Sequence, residues 1–157
     1  MTSTPSTRDA FESILSDLLQ QSSALTAMFI TKHGTVVAHA GDVSYLNTTA
    51  MAALVAGMFS ATREVARIVG ENQFSILLQQ GEVRHIHISL VSDQTMLIVV
   101  FEDHNRIGLI RHAARKAGER LALLLSASKE REMAGDEISL PQFKEYALNL
   151  IDRIFQS

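Results

Sequence analysis

Six apolar residues follow one another from Met96 to Phe101, in the run "TMLIVVF". The run is too short and too rich in β-branched residues for a helix. It also lacks the alternation of a strand with one wet face, so both of its faces must be covered. That requirement predicts a strand at the centre of a sheet, with helices on both sides.

The rest of the chain supplies the parts. Ser6 or Thr7 can cap a first helix whose apolar stripe is Phe11, Ile14, Leu15, Leu18 and Leu19. "LTAMFITKHGTVVAHAG" reads as a hairpin turning at Lys32-His33-Gly34. Asn47 and Thr48 can cap a second helix, and Gly70 stands where a left-handed C-terminal residue belongs. "QFSILLQ" and "VRHIHISLV" flank Gln80-Gly81-Glu82, and Ser92-Asp93-Gln94 leads into the apolar run. A long helix is expected from Ile107 to about Lys129, with Ile107, Ile110, Ala114, Ala117, Leu121 and Leu124 inward.

"SKEREMAGDEIS" reads as a charged linker or frayed helix end. A last amphipathic helix follows, capped by Ser139 with Pro141 in its first turn and Gln142 in capping-box register. Phe143, Ala147, Leu150 and Ile154 line one side of it. The expected fold is therefore α+β, in the order α-β-β-α-β-β-β-α, with a five-stranded antiparallel sheet and a C-terminal helix. The divisions fall at 1–127 for the domain, 128–139 for the linker and 140–157 for the helix.

Several functions are excluded or disfavoured. With 14 basic and 17 acidic residues the net charge is −3, so no basic field points to nucleic acid. The absence of cysteine rules out disulfides and thiolate catalysis, and it fits a reducing, cytoplasmic setting. "MTSTPSTRDAF" has no apolar core of a secretory signal. In the longest uncharged run, Val43 to Thr62, the apolar part is too short to cross roughly 30 Å of hydrocarbon, so no membrane insertion is expected.

No Walker A or G-x-G-x-x-G sequence occurs, no nucleophile–base pair emerges, and no cofactor is expected. His85 and His87 have ligand-like spacing, but two histidines do not make a metal site, and a surface or dimer-edge role is expected. "RHAARKAGER" reads as a solvated helix face carrying Arg111, Arg115, Lys116 and Arg120. It could dock an acidic partner or membrane surface, but it lacks the aromatics of a nucleic-acid reader.

The second helix is unusual. A wheel at about 100° per residue puts Met51, Leu54, Val55, Met58, Thr62, Val65 and Val69 towards the sheet. Opposite lie Thr49, Ala53, Ala56, Gly57 and Ser60, with charge only at Arg63, Glu64 and Arg67. Alanine for helix propensity is the plain explanation, but Gly57 should cost about 1 kcal/mol mid-helix if nothing uses the space. The outer face is expected to be a protein interface.

Three stretches, "LNTTAMAALVAGMFSA", "IVGENQF" and "IVVFEDHNRIGLIRHAARKA", together with the tail "DEISLPQFKEYALNLIDRIF", resemble the roadblock/LC7 domain family, and within it the MglB subgroup. The resemblance covers Phe11 to about Leu125, plus the tail. It implies a homodimer paired through the second helix and the third strand, with Phe74, Ile76 and Leu78 at the joined edge. It implies a small Ras-like GTPase of MglA type, in its GTP-bound state, as partner, with one GTPase per dimer. Ala53, Ala56, Gly57, Ser60, Arg63, Glu64 and Arg67 would face that GTPase, and the C-terminal helix would also bind a partner. Arg63 and Glu64 replace small residues of the subgroup, which bears on partner choice.

The implied role is GTPase activation in bacterial polarity or motility, with recruitment to a cell pole and no catalytic site of its own. An arginine finger could come by position from Arg63, Arg67 or Arg106. MglB-type activators instead reposition the GTPase's own catalytic groups, and the resemblance favours that version. Two other readings compete: a roadblock scaffold that binds without activating, and a PAS-type sensor. An intrinsic enzyme has the least support.

Overall fold

The computed structural model describes residues 6–134, together with Asn149 and Arg153. The elements are α1 (Thr7–Ser22), β1 (Thr26–Thr31), β2 (Val36–Gly41), α2 (Thr48–Ile68), β3 (Ile76–Gln80), β4 (His85–Ser92), β5 (Thr95–Phe101) and α3 (Ile107–Ala134). A 3-10 turn, His104–Arg106, precedes α3. The strands form one sheet in the order β2-β1-β5-β4-β3, every neighbouring pair antiparallel. The last strand in sequence is thus the middle one in space, and all seven of its residues are buried.

Alternate residues of β5 serve opposite layers. Leu97, Val99 and Phe101 join Phe29 and Ala27 under α1 and α3. Met96, Ile98 and Val100 join Met28, Ile30 and Ile88 under α2. Each large side chain buried this way contributes on the order of 1.5–3 kcal/mol relative to exposure. The expected stripes of α1 and α3 sit in the first of these cores, with Leu19 and Ile107 at its margin.

Local chemistry sets the element ends. Ser6 Oγ accepts from the Asp9 amide at 3.1 Å, and Asp9 Oδ2 accepts from the Ser6 amide at 3.0 Å, a reciprocal cap on α1. Gly34 turns the β1–β2 hairpin at φ 88°, and a Cβ there would stand 2.8 Å from Ala53 Cα, so the turn lies directly against α2. Asp42 accepts from the Ser44 amide and hydroxyl at 2.9 and 2.6 Å, which holds its carboxyl below the usual range and shapes the loop into α2. α3 continues to Ala134, so the start of the charged stretch is helical. The expected C-terminal helix with Phe143, Ala147, Leu150 and Ile154 lies outside the described residues. No helix among the described residues is long and apolar enough to cross a membrane.

Two sequence expectations are corrected on the α3 side. Arg120 does not belong to a solvated face: it is buried, and its Nη1 donates to Asp17 Oδ2 at 2.7 Å, tying α3 to α1. His85 and His87 are not at the surface either. They point inward from β4, because Phe101 and Val99 stand opposite them in the register and α3 covers that face. The His85 ring packs 5.2 Å from Phe101. Burial lowers the His87 pKa from its ordinary 6.5, and the charge of Arg111 lowers it further. Among the described residues, no group of three or more His, Asp or Glu could hold a metal ion.

Asp17→Ala takes a carboxylate away from a buried guanidinium and should lower stability by about 2–3 kcal/mol in urea unfolding. Asp17→Leu combined with Arg120→Met should recover most of that loss. His87 makes stability depend on pH. Well above 6.5 it is neutral in both states; as the pH falls, the unfolded chain takes up a proton that the folded chain resists. Stability should therefore decline below about pH 6.5, by at most about 1.4 kcal/mol per unit from this group, and His87→Gln should flatten that part of the profile.

Candidate functional site

Asn47 caps α2 through its side chain, which accepts from the Ala50 amide at 3.0 Å. The face of α2 that meets the sheet is Ala52, Val55, Ala56, Phe59 and Ala66. This is not the face expected from the wheel. Leu54, Val65 and Val69 point outward, the first two with 73% and 53% of their surface exposed. Alanines and Val55 make up most of the sheet-facing side, Phe59 is its large anchor, and the bulky Leu54, Val65 and Val69 fall on the far side.

The expected partner-facing residues separate accordingly. Ala53, Gly57, Ser60, Glu64 and Arg67 are exposed along one row at helical spacing. Ala56 is instead buried and packs in the core under α2. Arg63 is half-buried, its Nη2 donating to Gln73 Oε1 at 3.4 Å, beside a small cavity of about 250 Å³ that Lys32, His33, Ser60 and Asp93 also line. Glu64 and Arg67 pair with each other at 3.0 Å. Arg106 stands on a different element and pairs with Asp103 at 3.4 Å.

Beside the small row runs a second one that the sequence reading missed. Leu54, Ala61, Val65 and Ile68 form an outward apolar row, and Ile68 is 84% exposed. Its signal was present, since α2 carries more bulky apolar residues than one sheet-facing stripe can hold. The row borders the sheet edge on the Met58 side, where Gln79 of β3 donates to Met58 Sδ at 3.0 Å.

β3 is an edge strand, paired only with β4. Its outer backbone groups have no strand partner among the described residues, a template for pairing with another chain. Ile76 is exposed, Leu78 is half-buried against the core under α1 and α3, and Phe74 is half-buried just ahead of the strand. The exposed apolar row and the free edge adjoin, so one surface offers both backbone pairing and apolar burial.

Residues 10–101 match the roadblock/LC7 domain, and the chain belongs to that family. Among solved structures it is similar to Myxococcus xanthus MglB, with 23% identity and a TM-score of 0.74 over 81% of this chain and 96% of that one. It is also similar to the gliding protein MglB from Thermus thermophilus, with 24% identity and a TM-score of 0.73 over 80% and 96%. A Roadblock/LC7 domain from Streptomyces avermitilis matches with 18% identity and a TM-score of 0.64 over 73% and 97%. At these identities the likeness is one of fold. No curated protein matches the sequence.

Gly57 sharpens the site. A Cβ there would meet nothing within 4 Å, so packing among the described residues gives no reason for a glycine. Gly57→Ala should accordingly raise stability by about 0.5–1 kcal/mol in thermal or urea unfolding of a monomeric form.

Proposed function

We propose that the protein is a homodimeric activator of a small Ras-like GTPase of MglA type. It acts on the GTP-bound state in bacterial polarity or motility, in the cytoplasm and at a cell pole. The observation that carries this reading is the outer surface of α2, where the small row with its unexplained Gly57 runs beside an unpartnered apolar row. Membership of the roadblock/LC7 family and the fold shared with MglB support the same choice.

In this reading the two rows divide the labour. Leu54, Val65 and Ile68, with Ile76 and the β3 edge, pair two copies and continue the sheet from one into the other. Phe74 and Leu78 support that edge from beneath. Ala53, Gly57, Ser60, Glu64 and Arg67 then form a shallow floor across the dimer for one GTPase, and Arg63 lies at its margin. The C-terminal helix, through Phe143, Ala147, Leu150 and Ile154, adds a second contact to the same partner.

Activation proceeds by positioning groups of the GTPase. Arg63 is held by Gln73 and half-buried, while Arg67 and Arg106 each have a carboxylate neighbour. None of these arginines stands free as a finger would. A flat floor of small residues instead suits the close approach of a partner's loop, which it can press into its catalytic position.

Single-turnover GTP hydrolysis by an MglA-type GTPase, with and without this protein, tests the reading. Acceleration should saturate near two chains per GTPase. Gly57→Glu should abolish it by weakening binding, and Val65→Asp by splitting the dimer. Binding to the GTP-bound form without acceleration would replace activation by a scaffold role.

A further inference from the structure

α3 and the outer strands do not close on each other. Between α3 and β3–β4 lies a cavity of about 640 Å³, within the range of pockets that take small molecules. It is on the opposite side of the sheet from α2, and it shares Ile76 with the proposed dimer edge. Its walls are largely apolar, from Ile76, Val91, Ala114 and Ala122.

One polar side chain in it is out of place. His87 lines the cavity with 1% of its surface exposed, and neither ring nitrogen has a hydrogen-bond partner among the described residues. A neutral imidazole carries one donor and one acceptor, and buried polar groups of this kind are almost always satisfied. The charged and titratable groups that line the cavity around it all come from α3: Arg111, His112, Arg115 and Glu119. Arg111 is close enough for its charge to act on His87. Glu119 stands two turns further along the helix, about 12 Å away, so the positive end of the cavity is the Arg111 end.

We propose that this cavity is a binding site for a small amphipathic anion. The carboxylate or phosphate head accepts hydrogen bonds from His87 and Arg111, and the apolar tail lies along Ile76, Val91, Ala114 and Ala122. The head supplies the missing partner of the buried imidazole. Two donors from different elements give a charge-assisted pair of contacts, and the acidic Glu119 disfavours the reversed orientation.

The full-length protein is titrated with decanoate, decyl phosphate, decanol and inorganic phosphate, while the His87 imidazole is followed by NMR and affinity by calorimetry. Decanoate or decyl phosphate should shift the His87 signals, and the tighter of the two identifies the head group. Decanol and inorganic phosphate, each lacking one half of the ligand, should bind at least ~10-fold more weakly. Arg111 is exposed, so Arg111→Ala should leave the fold intact and weaken the anionic amphiphile ~10-fold. Decanol binding as well as decanoate, unchanged affinity in Arg111→Ala, or His87 signals that do not respond would each overturn the assignment.

Discussion

Everything in this fold follows from burying both faces of β5. A central strand with large apolar residues on each side needs a layer above and a layer below, and α1, α2 and α3 provide them. Two of these, α1 and α3, share one face and are locked together by the Asp17–Arg120 pair. Among the described residues, the other face is left to α2. A single helix cannot cover five strands, so the two sides of the sheet are finished to different degrees.

That inequality shapes the surface. α2 covers β1, β5 and β4 with Ala52, Val55, Ala56, Phe59 and Ala66, all buried. Its bulk is then displaced outward, beside an edge strand that pairs only with β4 among the described residues. A helix seated by its small residues therefore has its large ones to spare for something else. On the opposite side, α3 reaches over β4 but stops short of closing on β3, and the cavity under Arg111 is the result.

Much of this was legible in the sequence wherever the signal was local. The reciprocal Ser6–Asp9 cap, the Asn47 cap, the turn at Gly34 and the left-handed Gly70 each depend on residues a few positions apart. The central placement of β5 was legible too, because an unbroken apolar run admits few alternatives. The rotation of α2 was not, since a wheel weighs bulk and here the small residues Ala52, Ala56 and Ala66 are the buried ones while Leu54 and Val65 are exposed. Ala56, expected on the outer face, is accordingly found buried. Arg120 was misplaced because the carboxylate it needs lies 103 residues away in sequence. "HIHIS" was ambiguous for a related reason: isoleucines on one face and histidines on the other do not reveal that a helix covers both.

The position of β5 also governs the order in which the molecule can assemble. The β1–β2 hairpin and the β3–β4–β5 meander are each local, but they join only where β1 pairs with β5, from Thr26↔Val100 to Thr31↔Thr95. On a ribosome the hairpin and α2 emerge long before the strand that unites them. Until Phe101 has left the exit tunnel, Phe29 and Met28 have no strand on their free side, and the core has no middle. Such long-range closure sets a high contact order and a correspondingly slow folding step. The nascent amino-terminal half spends that interval with its apolar strands uncovered, in the state that chaperones recognise.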